Sequence, residues 1–357
     1  MNNWRDRRIL DLFGIELPII QAPMAGVSTP DMAIAVSEAG GLGSLASAQL
    51  TLDQARKDLA TIRQATRRPI NVNFFTHKAA AADAAQLAAW RALLAPYYRE
   101  LGLDPEAPVP QVNRAPFDDG FAGLVEETKP EVVSFHFGLP EQRLLDRVRA
   151  TGAKIISSAT TVAEARWLQE RGVDAIIAMG FEAGGHRGNF FSDDMGRQVG
   201  TMALVPQIVD AVSVPVIAAG GIADARGIVA ALALGASAVQ IGTAYMLTPE
   251  AKLSPAHRVA LRQASADDTV ITNLFTGRPA RGIVNRLIRD LGPLSASAPG
   301  FPFAAGALAP LKAKAEAAGS GDFTNLWSGQ AAALAREMPS GELTRRLATE
   351  TLAKLAA

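Results

Sequence analysis

Along the chain, short runs of Val, Ile and Ala alternate with longer stretches whose apolar positions recur every three or four residues. Eight of the short runs read as buried strands: PIIQA (18–22), GLGSLAS (41–47), INVNFF (70–75), EVVSFHF (131–137), AKIISS (153–158), DAIIAM (174–179), VPVIAA (214–219) and SAVQIG (237–242). Continuous apolar character is what a parallel strand covered on both faces requires. The stretches between them carry helix signals. TPDMAIAVSEAGG places a Thr cap before a Pro in the first turn and stops at Gly, and TTVAEARWLQERGV and ADARGIVAALALGA repeat that grammar.

Such alternation predicts a parallel sheet with helices outside it. Eight units over roughly 250 residues predict an α/β fold of the (β/α)8, or TIM barrel, kind. An open doubly wound sheet is the competitor. The barrel is preferred because the residues able to do chemistry all follow strands, and a barrel gathers strand ends into one mouth. Two excursions interrupt the repeat. Residues 76–130 hold an Ala-rich helix, AAADAAQLAAWRALLAPYYREL, and a Pro-rich loop, DPEAPVPQVNRAPF. In residues 248–309, SPAHRVALRQA and ARGIVNRLIRDLG read as helices and SASAPGFPFAAGALAP as an ordered, irregular loop. Long insertions at a barrel mouth build lids and substrate walls. The expected division is a barrel over residues 1–250, a lid or second small domain over 251–309, and C-terminal helices over 310–357 that pack back on the barrel.

Composition narrows the function classes. Lys plus Arg and Asp plus Glu are both 35, so net charge offers no reason to expect nucleic acid or an anionic membrane. There is no cysteine, which removes disulfides, thiolate nucleophiles and Cys-based metal sites and fits a cytoplasmic location. Asp11 and Glu16 interrupt the apolar N-terminal stretch, so no signal peptide is expected. The uncharged run 227–247 has the length of a membrane span. Gly235 and Ser237 divide it into a short helix and a short strand. The four histidines show no metal-ligand spacing, and no metal is expected.

Candidate chemistry lies at the strand ends. Gly220-Gly221 and Gly242-Thr243 follow the seventh and eighth strands. Glycines there let bare N–H groups meet an anion, and a following helix N-terminus adds partial positive charge. One such pair would indicate a tight turn; two on adjacent strands favour a phosphate. Pro23-Met24-Ala25 ends the first strand, where Met24 is either core or a polarizable wall for a flat ring. Asn73 serves a ring edge or caps a helix. The sixth strand leads into Glu182, Gly184, Gly185 and His186, and the fourth ends at His136. An imidazole freed from packing by two glycines can take a proton from a carbon acid or hold an anion. Glu182 is expected to orient that loop through backbone N–H groups.

Three motifs together, PIIQAPMAGVSTPDMAIAVSEAGGLGSLA, GFEAGGHRG and VPVIAAGGIADARGIVAALALGASAVQIGT, with FTGRPARG at 275–282, resemble the nitronate monooxygenase family, formerly 2-nitropropane dioxygenases, over nearly the whole chain. The resemblance implies an FMN-dependent barrel that oxidises alkyl nitronates such as propionate 3-nitronate with O2 to a carbonyl compound and nitrite. It implies that Pro23, Met24 and Ala25 run along the flavin, with Asn73 near its polar edge and Gly184 and Gly185 close to it. Gly220, Gly221, Gln240, Ile241, Gly242 and Thr243 would hold the cofactor phosphate region. His186 would be catalytic and His136 would bind substrate. Met179 stands where the family often has Gln, a position that contacts the flavin. The implied partners are a nitronate or nitroalkane and O2, with the protein a monomer or homodimer. FMN-dependent NAD(P)H reductases, acting on quinones or enoyl thioesters, share the fold and are the alternative; a non-catalytic flavin or phosphate binder is a third class.

Overall fold

The computed structural model describes residues 4–78, 81–110 and 114–357. Ala80 of the expected Ala-rich helix and residues 111–113 of the expected Pro-rich loop lie outside the described residues. Eight parallel strands form one sheet: β1 (Ile19–Gln21), β2 (Gly43–Ala46), β3 (Ile70–Phe75), β4 (Val132–His136), β5 (Lys154–Ala159), β6 (Ala175–Met179), β8 (Val216–Ala219) and β9 (Ala238–Ile241). The order is β1-β9-β8-β6-β5-β4-β3-β2, and a parallel bridge from Ile20 to Leu42 joins the two ends. The sheet therefore closes into a (β/α)8 barrel. All eight expected strands are present, each within its expected segment apart from Ala159, one residue beyond AKIISS.

Local chemistry accounts for the helices around it. Thr29 Oγ1 accepts from Met32 N at 3.2 Å and Pro30 opens the helix Pro30–Glu38. Thr161 caps the helix Val162–Glu170 in the same way. Close seating is enforced by a glycine: a Cβ on Gly43 would lie 2.0 Å from Ala33 O, so only glycine lets that helix lie on β2. The apolar run 227–247 divides as expected, into the helix Ala225–Ala233 and β9. Among the described residues no helix is long and apolar enough to cross a membrane.

The excursions depart from expectation. ARGIVNRLIRDLG is not one helix: Ala280–Ile283 is a strand, β11, and only Arg286–Leu291 is helical. β11 pairs antiparallel with β10 (Thr269–Thr272) on one side and with the two-residue β7 (Gly185–His186) on the other. Gly282 gives the physical reason: a Cβ there would lie 2.9 Å from Leu326 O, a backbone approach that extended chain provides. The irregular loop expected over 295–310 becomes helical at Ala304, where the helix Ala304–Ala317 begins.

That helix packs on the helix Ala84–Glu100 of the first excursion, about two hundred residues away in sequence. Trp90 Nε1 donates to Ala304 O at 3.1 Å, and Trp90, Leu94, Leu274, Leu308 and Leu311 are buried together as a second core. The second core thus draws residues from both sides of the boundaries expected at 250 and 309. The helix Ser340–Ala356, by contrast, lies on the barrel helices Pro30–Glu38 and Ala225–Ala233.

Candidate active site

One cavity at the C-terminal mouth of the barrel encloses about 1270 Å³ of empty space, its open mouth included. Pro23, Met24 and Ala25 wall one side, Asn73 and His136 another. Met179, Gly184, Gly185 and His186 come from the sixth strand and its loop; Gly220, Gly221, Gln240, Gly242 and Thr243 come from the last two strands. The structure therefore brings every expected site residue to one cavity except Ile241, which is buried in the barrel wall. Residues outside the expected site complete it, notably Phe75, Ser158 at the end of the fifth strand, and the segment Trp327-Ser328-Gly329.

The glycine half is shaped by backbone. Gly220 and Gly221 have φ of 109° and 70°, a region side chains rarely adopt. The helix that follows does not offer its N-terminus to an anion: Asp224 already caps it, accepting from Arg226 N and Gly227 N. An anion at this end must be met by the N–H groups of the glycine loops themselves. Gly184 serves packing, since its Cβ would lie 2.5 Å from Gly329 N. Gly185, with φ 70°, has open space where its Cβ would be. Gln240 Oε1 is buried beside this half with no partner among the described residues. A buried unpaired amide oxygen calls for a donor. Asn73 gives its amide nitrogen to Ser134, at 2.9 Å to the hydroxyl, and caps no helix.

Glu182 takes the role of a helix cap rather than a loop support: its carboxylate accepts from Thr201 N and Oγ1 at the start of the helix Thr201–Ala211. The loop is held instead by Arg187, which is fully buried and donates to Gly180 O at 2.7 Å and Met179 O at 2.9 Å. The Met179 side chain remains at the cavity wall, 7% exposed.

His186 is anchored by its backbone, which pairs with Ala280 of β11. Its Nε2 lies 2.9 Å from Thr276 Oγ1. The tautomer of His186 sets which of the two atoms donates, and the Thr276 hydroxyl has a second, longer contact with Arg278 O at 3.4 Å. Aromatic rings surround it: Phe301 and Trp327 at 5.5 Å and Phe75 at 5.9 Å between centroids. Burial holds its pKa well below the ordinary value, and the neighbouring Arg114, His136, Arg278 and His77 push the same way.

His136 is fully engaged by the protein. Its Nε2 faces His186 O at 3.2 Å and so must donate; Nδ1 then accepts from Ser158 Oγ at 2.7 Å. Burial lowers its pKa to about 4. Gly188 allows this contact, because a Cβ there would lie 2.9 Å from His136 Cε1. His136 therefore braces the histidine loop from β4. His77 was outside the expected site, yet its ring stands 4.8 Å from Phe301, and burial lowers its pKa also to about 4. Among the described residues no cluster of His, Asp and Glu is arranged to hold a metal.

A glycine-lined cradle and His186 meet in one cavity at the C-terminal mouth of a (β/α)8 barrel, the arrangement of an enzyme site. The model of the nitronate monooxygenase family matches residues 6–350, and the chain belongs to that family of flavin enzymes. A nitronate monooxygenase of Pseudomonas aeruginosa is 44% identical over 345 residues, covering 96% of this chain and 98% of the relative. One from Paraburkholderia phytofirmans is 43% identical, covering 96% and 94%. Among solved structures, the nitroalkane oxidase from Streptomyces ansochromogenes superposes with a TM-score of 0.88 at 39% identity, over 98% of this chain and 99% of that one. FabK from Thermotoga maritima gives 0.76 at 31% identity, over 99% and 97%.

Proposed function

We propose that the protein oxidises alkyl nitronates, such as propionate 3-nitronate, with O2 to a carbonyl compound and nitrite, using FMN. The observation that carries this reading is that the glycine cradle and His186 line one cavity, and that the charged side chains named as acting on His186, Arg114 and Arg278, are cations. Such surroundings suit an electron-rich anion. The residues present fit FMN. Gly185 leaves open space where a side chain would stand, Gln240 Oε1 lacks a partner among the described residues, and the glycine loops after β8 and β9 leave their backbone bare at one end. Gly220, Gly221, Gly242 and Thr243 would hold the phosphate, and Met24, Ala25 and Gln240 the ring system and its polar edge. FMN would supply the electron transfer from nitronate to O2.

The chain's own side chains set up that chemistry. Phe75, Phe301 and Trp327 exclude water from the space around His186, which strengthens electrostatic interactions there. His186, held neutral, keeps one unprotonated ring nitrogen and is a base for the α-proton of a neutral nitroalkane; a nitronate, already deprotonated, needs no such step. His136 and Thr276 hold the imidazole and its loop in place.

The discriminating experiment is anaerobic. Mixed with propionate 3-nitronate, the yellow holoprotein is expected to bleach; mixed with NADH or NADPH, it is expected to stay yellow over the same time. Rapid bleaching by a pyridine nucleotide would overturn the monooxygenase reading in favour of a reductase. Heat-denatured holoprotein should release FMN into the supernatant.

A further inference from the structure

The protein places four largely buried arginines around its barrel mouth, and three of them serve the fold. Arg187 holds Met179 and Gly180 carbonyls, Arg281 donates to Phe181 O and Thr269 O, and Arg278 donates to Asn189 O while lying 4.1 Å over the Phe137 ring. Arg114 is different. It comes from the excursion between β3 and β4, just before Phe117, whose N–H is pinned to Phe75 O at 2.8 Å. Its guanidinium lies 5.7 Å from the centroid of Phe301, the same ring that packs 5.5 Å from His186 and 4.8 Å from His77. Among the described residues it has no carboxylate or carbonyl partner, and burial alone acts on it, lowering its pKa to about 10.

A largely buried guanidinium without a counter-ion is costly, and an anion beside it would offset that cost. His186 cannot supply the missing complement, because it is neutral, and neither can His136, whose ring nitrogens are both engaged. At neutral pH the permanent charges near His186 are therefore Arg114 and Arg278, and Arg278 already has a backbone acceptor.

We propose that Arg114, which stands behind the cavity lining on the Phe301 ring beside His186, is the specificity-determining residue that biases the His186 end of the cavity toward anionic nitronates over their neutral conjugate nitroalkanes. The inference rests on the nitronate reading above. It divides the work at the His186 end of the cavity: Arg114 attracts and holds the charge of a substrate that arrives as an anion, and His186 is required only where a proton must be removed. Arginine chemistry suits the task, since its planar fork matches the two oxygens of a nitronate head.

The test uses the holoprotein and its Arg114→Gln and Arg114→Lys variants. Nitrate, a planar oxyanion that cannot be oxidised here, serves as the binding probe, followed by the fluorescence of Trp327 beside His186. A neutral nitroalkane, measured as a competitive inhibitor of nitronate turnover, is the uncharged control. Arg114→Gln is expected to raise both the nitrate Kd and the nitronate KM about tenfold, as removal of one charge-assisted contact does, with the nitroalkane Ki little changed. Arg114→Lys should recover most of the loss, and increasing salt should weaken anion binding in wild type more than in Arg114→Gln. Unchanged nitrate and nitronate constants in Arg114→Gln would overturn the proposal. So would equal shifts for the anion and the neutral inhibitor, which mark a packing role. A wild-type protein that turns over no nitronate at all would instead sink the reading on which the proposal rests.

Discussion

The two halves of the active-site cavity are built by opposite means. The glycine half comes from consecutive residues: Gly220-Gly221 directly after β8 and Gln240 to Thr243 at and after β9, neighbouring strands whose loops are short. The His186 half is assembled from distant segments. Around it, His77 and Arg114 come from the first excursion, His136 from β4, Thr276 and Phe301 from the second excursion, and Trp327 from still later in the chain. The first half works through backbone conformation and bare N–H groups. The second works through side chains that the fold buries in selected protonation states. The lesson is that cofactor retention and substrate chemistry should separate on mutation.

The largest expected effect falls on the chemistry half. His186→Asn should lower kcat/KM for a neutral nitroalkane by about 10²–10⁴-fold, the usual contribution of a positioned base. FMN content of the purified variant should stay at the wild-type level. Loss of flavin from His186→Asn would show that the halves are not separable.

Acid should strike the same half next. His77 and His136 near His186, and His257, whose Nε2 lies 3.0 Å from Trp327 O, have pKa values lowered to about 4 by burial, and His186 is lowered too. Between pH 6.5 and about 4 the unfolded chain therefore binds more protons than the folded one. Stability is fully present above about pH 6.5 and is lost as pH falls toward 4, by up to about 1.4 kcal/mol per histidine for each pH unit. Urea midpoints at pH 7, 6 and 5 check this, and a midpoint that stays level across the range would contradict buried, neutral histidines.

A glycine substitution tests the other half. Gly184→Ala puts a Cβ within 2.6 Å of Ser328 C, a backbone atom that cannot swing aside. A cost of about 1–3 kcal/mol is expected from the overpacking, with weaker flavin retention. Thermal denaturation with and without added FMN measures both, and a variant as stable and as yellow as wild type would show that the 328–329 segment yields easily. The smallest effect is assigned to Gln240→Leu. It should weaken FMN binding about tenfold, by removing one hydrogen-bonding group from the cradle, and leave the nitronate KM in place. Titration of the apoprotein with FMN reads the first quantity and steady-state kinetics the second; a change confined to KM would move Gln240 out of the cofactor half.

Legibility followed the same divide. The eight barrel strands, the Thr29 and Thr161 caps and the glycine loops could be read locally, because apolar runs, caps and Gly pairs act within a few residues. β11 was missed because what selects extended chain at Gly282 is the Leu326 backbone, far along the sequence. The expected helix-terminus charge after β8 was absent because Asp224, visible in IAD, is the cap. Arg114 sits in a Pro-rich loop that carries no motif, and only its contact with Phe301 marks it.

By itself the sequence determined the barrel, its family and the position of His186, since periodicity and short motifs encode strand ends directly. Tertiary structure decided the charge state of that histidine, the bracing role of His136 and the placing of Arg114 on the Phe301 ring, with no counter-ion among the described residues. The physical reason is that protonation and charge balance depend on burial and on what converges in space, and neither quantity is carried by any contiguous stretch of chain.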